Sequence, residues 1–285
     1  MKKIICAVSA ALLGCSLFAY DIAENSTIKG DARKVVKTEY SIVSKFGEYF
    51  RTPSTKVSYV YDANGKISET TELTARDVVL NKITYTYDSN GKIVERVGYD
   101  ADNEQIWKAV ISYKNGRAAD ESEYSKSGAL MSKTIYSYTD NKLTDESVYN
   151  GDGSLLTKII TKYNVKGQKE VVSNYNGDGS LNEETIYSYS DGGKIDSISY
   201  NDVNGDTTSK EVFRYGASGD VTEITTYGAD NKTSQRMLVK YDAKGNINKV
   251  TTYSVSKKFG TTTNEMSAMV DYAYTYGDVN NLDAK

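Results

Sequence analysis

The stretch KITYTYDSNGKIVERVGY, residues 82–99, determines the fold. Its first half alternates Ile83, Tyr85 and Tyr87 with polar residues, the period of two expected of a β-strand with one apolar face. Residues 88–92 then have the composition of a type I turn closed by a left-handed glycine, which makes a three-residue hairpin loop. Because the alternation resumes after the turn, the stretch predicts a β-hairpin.

The same pattern recurs along the chain with a period of about 26 residues, which indicates a repeat architecture. Its anchor is a tyrosine, at Tyr61, Tyr87, Tyr113, Tyr138, Tyr163, Tyr189, Tyr215, Tyr241 and, after a longer step, Tyr276. The copies after Tyr113 and Tyr138 have shorter loops, which suit two-residue type I′ turns. With two strands per copy, the sequence predicts an all-β antiparallel meander of about 16–18 strands.

Hairpin geometry predicts which residues face each other across the strands. A three-residue loop sets Tyr61 opposite Ile67, and Tyr59 opposite Glu69. A two-residue loop sets Tyr136 opposite Asp145. Tyrosines and acids then share one face, a candidate ligand face composed of Tyr59, Tyr85, Tyr136, Tyr187, Glu69, Glu95, Asp145 and Glu223. Two interpretations stay open: the rows bind a sugar, a peptide or a cation, or each acid accepts a hydrogen bond from a neighbouring tyrosine in ordinary packing.

A second row of charges recurs on the opposite face and predicts a solvated ladder of basic side chains. Its members are Lys56, Lys82, Lys108, Lys133, Lys158, Lys210 and Arg236. Adjacent strands differ in length by about two residues, and a stagger of one sign accumulates into strand tilt. We therefore expect a coiled single sheet, either a spiral or a wide barrel-like wrap, with the tyrosine and isoleucine face inward. A flat, free-standing sheet is the alternative.

The two ends of the chain depart from the repeat. Residues 20–55 lack the glycine turns and are predicted to form an N-terminal cap before a repeat domain over residues 56–276. Residues 254–271 carry an insertion, either a second cap or a functional loop. Residues 277–285 are predicted to be a tail.

The N-terminus has the pattern of an export signal. Lys2 and Lys3 precede an apolar run that is too short to span a bilayer. Cleavage after Ala19 gives a signal peptide of residues 1–19. A lipoprotein signal of residues 1–14, with Cys15 as the lipidated residue, is the alternative. Both place the protein outside the cytoplasm, in the periplasm, the cell envelope or, with Cys15 lipidated, at the outer membrane.

Composition excludes several kinds of chemistry. The chain has no histidine, which removes Ser-His-Asp triads and histidine-bound zinc, and its two cysteines lie in the signal region. The net charge of −3, with mixed signs, is unlike the basic stripe of a nucleic-acid binder. Residues 150–154 and 176–180 resemble calcium loops loosely but lack the full carboxylate set. We therefore predict no enzyme, no cofactor and no metal.

The run Tyr-x-Tyr-Asp-x-x-Gly-Lys-Ile, at residues 59–67 and 85–93, resembles the YD repeat of Rhs-type and teneurin-type proteins. Residues 241–247 match it in part. The resemblance implies a spiralling sheet of hairpins, with adhesion or carbohydrate contact in some members. The length and the export signal also resemble small bacterial envelope proteins. We expect an exported, non-catalytic binding or adhesion module with a protein or glycan partner. A structural envelope protein without a discrete ligand is the alternative.

Overall fold

The computed structural model describes residues 2–3, 27–258 and 260–277, and these residues are almost entirely strand and turn. The strands are β1 (Lys2–Lys3), β2 (Thr27–Ile28), β3 (Ala32–Lys45), β4 (Glu48–Tyr61), β5 (Ile67–Thr74), β6 (Val79–Tyr87), β7 (Ile93–Tyr99), β8 (Gln105–Lys114), β9 (Arg117–Ser125), β10 (Leu130–Thr139), β11 (Lys142–Asn150), β12 (Leu155–Tyr163), β13 (Lys169–Asn176), β14 (Leu181–Tyr189), β15 (Ile195–Asn201), β16 (Thr207–Tyr215), β17 (Val221–Gly228), β18 (Thr233–Tyr241), β19 (Ile247–Lys258) and β20 (Thr261–Tyr276). The signal region and Cys15 lie outside the described residues.

The main sheet is an antiparallel meander of 18 strands, β3–β20, within the part of the chain that the structure describes. This confirms the predicted class and strand number. The strand order closes on itself, because β20 pairs with β3 through partners such as Val270 and Glu39. The sheet is therefore a closed barrel, and the expectation of an open spiral or a flat sheet is wrong. Closure leaves no free edge for another chain to extend.

The chain divides into two compact units, and the first contains residues 1–84 and 237–285. Its long strands β3 and β4 pair from Lys34 and Val60 out to Lys45 and Glu48. Residues 254–258 and 261–271 of the segment predicted as an insertion are strand residues of the long hairpin β19–β20. The predicted boundary at residue 55 coincides with no break, since β4 runs across it. The unit buries apolar side chains that include Val35, Tyr59, Tyr61, Ile67 and Met269.

The second unit contains residues 85–236 and holds the regular repeats, β7–β17. Each strand pairs with its neighbours in chain order. Its most buried apolar side chains come from alternate positions of the strands and include Ala109, Ile198, Phe213 and Ile224. Fully burying an isoleucine or phenylalanine contributes about 1.5–3 kcal/mol, so this one face supplies much of the unit's stability.

The turns have the geometry that their sequences predict. In the loop after Tyr87, the amide of Gly91 donates to the Asp88 carbonyl at 2.9 Å, and the Asp88 carboxylate accepts the amide of Lys92 at 2.8 Å. That backbone hydrogen bond is the largest cause that lowers the pKa of Asp88. The two-residue loops are confirmed as turns with positive φ at both positions, and their residues are Asn115 at 52°, Gly116 at 78°, Asp140 at 48° and Asn141 at 67°.

A β-bulge follows nearly every turn, and the sequence analysis did not predict it. Tyr61 pairs with Ile67 as predicted, but the register then shifts, so that Val60, and not Tyr59, faces Glu69. The same shift occurs between Ser137 and Tyr138 in the hairpin β10–β11. A bulge inserts one extra residue on one strand, and a slip of one residue moves a side chain to the other face of the sheet.

Candidate functional site

The bulges separate the residues that the sequence placed together. Tyr136 faces Glu146, and Asp145 faces Ser137. We call the face that carries Tyr136 and Tyr187 the tyrosine face, and the face that carries Lys133 and Lys158 the lysine face. On the strands that the structure describes, the cross-strand partners place Glu69, Glu95, Asp145 and Glu223 on the lysine face, opposite Tyr59, Tyr85, Tyr136 and Tyr187. The predicted single face of tyrosines and acids is therefore wrong.

The acids on the lysine face pair with bases and hydroxyls, not with tyrosines. Asp145 lies 2.7 Å from the Lys158 ammonium and accepts a hydrogen bond from Ser147 at 2.8 Å. Glu223 accepts a hydrogen bond from Arg236 at 2.9 Å, the largest cause that lowers the pKa of Glu223. Thr71 donates to Glu69 at 2.9 Å. The expected hydrogen bonds from tyrosine hydroxyls to these acids are replaced by contacts within the lysine face.

The lysine face of the second unit repeats one arrangement from hairpin to hairpin. A row of lysines pairs across the strands with a row of tyrosines, as Lys108–Tyr124, Lys133–Tyr149, Lys158–Tyr175 and Lys210–Tyr227. The equivalent pair in the hairpin β14–β15 is Glu184–Asn201. An apolar row pairs with a hydroxyl row, as Val110–Ser122, Ile135–Ser147, Ile160–Ser173, Ile186–Ser199 and Val212–Thr225. We call this set of rows the lysine-face array. Equivalent positions lie on alternate strands, about 10 Å apart.

The array is open to solvent over its larger side chains. Val110 and Ile135 are 38% and 40% exposed, while the shorter Ser122 and Ser147 between them are buried. The tyrosines of the array are half-buried, with their rings only in part covered. Aromatic rings, hydroxyls and neutralised charge pairs thus alternate on one continuous surface.

The tyrosine face has a different repeated contact, which explains the motif read from the sequence. The anchor tyrosine of one hairpin donates its hydroxyl to a main-chain carbonyl 20 residues earlier, at 2.7 Å in each case. The pairs are Tyr113–Ile93, Tyr163–Leu143, Tyr189–Lys169 and Tyr215–Ile195. We call these hydrogen bonds rungs. The lysine of the preceding turn covers the same ring, with Lys92 5.0 Å from the centre of Tyr113 and Lys194 4.8 Å from the centre of Tyr215.

The tyrosine face also holds acids that the sequence reasoning missed. Glu211 is 4% exposed and accepts a hydrogen bond from the Tyr200 hydroxyl at 3.0 Å. Burial raises the pKa of Glu123 and of Glu146, and burial together with Glu211 raises the pKa of Tyr200. Along each strand these acids alternate in step with the buried residues, so the period-two pattern could have placed them on the tyrosine face. The predicted pairing missed them because it did not include the one-residue bulges.

The loops that resemble calcium sites are held by their own hydrogen bonds. Asp152 accepts the amide of Ser154 at 2.9 Å and its hydroxyl at 2.6 Å, and Asp178 and Ser180 repeat both contacts. The hydroxyl hydrogen bonds are the largest cause that lowers the pKa of both aspartates. Across residues 2–3, 27–258 and 260–277, no group of three or more metal-binding side chains converges. Within those ranges there is also no helix of the length and apolar character that a bilayer span requires.

Comparison with known proteins gives similarity in the strand arrangement alone. No family model matches the chain, and no curated protein matches it. The chain is similar to a porin-like protein from Bacteroides uniformis ATCC 8492, with 10% identity and a TM-score of 0.48 over 87% of this chain and 99% of that one. It is also similar to a porin-like protein from Bacteroides vulgatus ATCC 8482, with 12% identity and a TM-score of 0.38 over 86% and 98%.

The resemblance to YD-repeat proteins is therefore wrong. It implied a spiralling open sheet, whereas the strand order here closes after 18 strands. The residues of the motif are explained by local contacts: the aspartate holds the turn, the glycine takes positive φ, and the lysine covers the next tyrosine. Such a motif arises wherever hairpins of this kind are repeated.

Proposed function

We propose that this chain is an exported, non-catalytic binding protein of the bacterial envelope whose lysine-face array binds an extended neutral glycan. The observation that carries the proposal is the repetition of one surface arrangement on alternate strands. A spacing of about 10 Å matches the length of a disaccharide unit in an extended chain, so that a polymer can meet the same contacts at each step.

The side chains of the array suit a neutral ligand. Lys158 pairs with Asp145, and Lys133 lies 3.5 Å from Asp120, so the charges are largely balanced within the surface. Half-buried tyrosines offer a flat apolar ring with a polar hydroxyl, which fits the mixed character of a sugar ring. Balanced charges and aromatic rings favour a glycan over a nucleic acid, which needs a basic surface.

The array predicts how long the ligand must be. Among the hairpins β8–β9, β10–β11 and β12–β13, whose pairing the structure describes, three complete cells are contiguous: Lys108–Tyr124, Lys133–Tyr149 and Lys158–Tyr175. On their C-terminal side the next position has Glu184–Asn201 in place of lysine and tyrosine. Each cell that a tethered sugar reaches adds to the affinity without a new association cost. Binding is therefore expected to strengthen with chain length and to level off when the ligand spans these three cells.

The described strands of the second unit carry charged side chains on both faces, which a lipid-embedded strand does not. Charged side chains lie near mid-strand on both faces of the second unit, with Lys133 and Lys158 on one face and Glu123 and Glu211 on the other. A lysine facing the bilayer midplane costs about 2–4 kcal/mol. We therefore place the protein at the envelope as an exported domain outside the hydrocarbon layer. The basic start and apolar run of residues 1–19 support export, and lipidation of Cys15 is the alternative route to the membrane.

The test is titration calorimetry with β-1,4-linked gluco- and manno-oligosaccharides, from disaccharide to octasaccharide. Affinity should rise with length and level off near the hexasaccharide. The Tyr149→Ala and Tyr175→Ala variants should each weaken hexasaccharide binding about tenfold, the upper part of what one aromatic contact supplies. Asn201→Ala, at the array position that has no ring, is the matched control and should bind like the wild type.

The double variant Glu184→Lys with Asn201→Tyr sharpens the test, because it completes the fourth cell and should move the plateau to longer chains. Binding that is independent of chain length, or unaffected by loss of Tyr149 and Tyr175, would contradict the proposal. If no glycan binds, and loss of the protein weakens the envelope of cells, the ligand-free structural role is the better description.

A further inference from the structure

The series of rungs described for the second unit is interrupted at Tyr138, and a pocket lies at this position. Tyr138 is the equivalent of the other anchor tyrosines, and the carbonyl 20 residues earlier belongs to Ala118. Among the described residues Tyr138 makes no rung to Ala118, although Tyr113 and Tyr163 on either side of it make theirs. The repeat is therefore interrupted locally while its neighbours are intact.

The cause is a change of residue size. The strand partner of the anchor tyrosine is Ala118 in the hairpin β8–β9. In the other hairpins of known pairing the position holds Ile67, Leu143, Lys169, Ile195 and Val221. Ala119, the bulge residue, is equally small. Two consecutive alanines therefore stand beside the turn of β8–β9, where the other hairpins carry at least one larger side chain.

The pocket has a volume of about 210 Å³. Its lining residues are Lys114, Asn115, Arg117, Ala118, Ala119, Tyr136 and Tyr138. Drug-sized ligands occupy about 300–1,000 Å³, so this pocket suits a smaller molecule of a single ring. The lining thus combines two tyrosine rings with two small alanine side chains.

The lining charges are positive and not neutralised by acids. Within the described residues, neither Lys114 nor Arg117 forms an ion pair with a carboxylate, and Arg117 donates a hydrogen bond to Asn141 and lies over the Tyr138 ring. The acids that act on Tyr136 are Glu121, which is ion-paired with Arg96, and Glu146, whose pKa is raised by burial. The mouth of the pocket therefore attracts an anion.

We propose that this pocket is a binding site for a single six-membered-ring carboxylate of the uronic-acid class. The ring packs against Tyr136 and Tyr138, and the carboxylate lies between Lys114 and Arg117. The Tyr138 hydroxyl, free of the rung, donates to a ring hydroxyl. The site lies at the turn between β8 and β9, where Lys114 pairs with Arg117, and is separate from the mid-strand rows of the glycan array.

The test measures binding of D-glucuronate and D-galacturonate by ligand-observed NMR and titration calorimetry. Glucose serves as the control for the ring without a carboxylate, and acetate as the control for the carboxylate without a ring. Either uronate should bind at least tenfold more tightly than glucose or acetate. Ala118→Leu restores the side chain that the other hairpins carry, fills the pocket, and should abolish binding. The matched control is Ile195→Leu, a volume-conserving change at the equivalent position of the hairpin β14–β15, which should leave binding unchanged.

Lys114→Gln separates the effect of charge from that of packing, since Lys114 is exposed and has no partner among the described residues. It should weaken uronate binding about fivefold and leave the weak binding of glucose unchanged. If Ala118→Leu does not fold, Lys114→Gln together with Tyr138→Phe decides the question. Failure of both uronates to bind the wild type, or binding that survives Ala118→Leu or is unaffected by Lys114→Gln, would overturn the proposal.

Discussion

The two faces of the second unit are built from the same strands and differ in what they do. On the tyrosine face, Ile198 is 1% exposed and the anchor tyrosines are fixed by rungs. On the lysine face, Ile135 is 40% exposed, and charges pair at the surface. The difference teaches that a periodic sequence can divide its positions between two environments: one alternate set of side chains is buried and stabilises the sheet, and the other stays in contact with solvent.

The largest effect is expected from the same substitution, isoleucine to alanine, made once on each face. Ile198→Ala should lower the free energy of unfolding by about 2–5 kcal/mol, because it opens a cavity among buried side chains. Ile135→Ala should change it by less than about 1 kcal/mol, because its side chain is already in contact with water. Urea denaturation followed by tyrosine fluorescence measures both. Equal losses in the two variants would mean that the lysine face is packed as tightly as the other.

A smaller effect compares an intact rung with the broken one. Tyr163→Phe removes a hydroxyl that donates to the Leu143 carbonyl at 2.7 Å, and should lower the free energy of unfolding by about 0.5–1.5 kcal/mol. Tyr138→Phe removes a hydroxyl without a rung, and its effect should be close to zero. The same denaturation experiment measures the pair. A loss at Tyr138 as large as that at Tyr163 would show that the rung is present in solution.

The comparison also shows what the sequence could and could not predict. Period-two alternation and turn residues at fixed spacing act locally, so the hairpins, the strand number and the type I′ turns at Asn115 and Asp140 were predictable. The pairing nearest each turn, such as Tyr61 with Ile67, was also predictable. These features depend on a few neighbouring residues and not on the rest of the chain.

The bulges and the closure could not be predicted in the same way. A bulge depends on how the main chain leaves the turn, and one extra residue moved Asp145 and Glu223 from the predicted face to the other. Closure depends on the pairing of β20 with β3, strands about 230 residues apart in the chain, and no local pattern specifies it. The pocket could not be predicted from the sequence, because the small size of Ala118 becomes informative only when the strand pairing identifies the larger residues at the equivalent positions of the other hairpins.

The smallest effect uses two acids that are adjacent in β11 and point to opposite faces. Asp145 is paired with Lys158 on the lysine face, so Asp145→Asn should destabilise the protein by no more than about 1 kcal/mol. Glu146 faces Tyr136, and burial raises its pKa above the ordinary 4.5, against a smaller opposing effect of Lys169. Glu146→Gln should therefore stabilise the protein at neutral pH, because the glutamine carries no buried charge.

The effect of Glu146→Gln on the free energy of unfolding is expected to depend on pH. A carboxyl whose pKa is raised on folding binds its proton more tightly in the folded state, so its contribution to stability is complete below about pH 4.5 and is lost as the pH rises through the folded-state pKa. Glutamine does not titrate. The stability gained by Glu146→Gln over the wild type should therefore be smallest near pH 4.5 and grow toward neutral pH, as measured by denaturation across that range. A variant less stable than the wild type at neutral pH would mean that Glu146 has a charged partner in solution, and that the tyrosine face tolerates ionised acids as readily as the lysine face does.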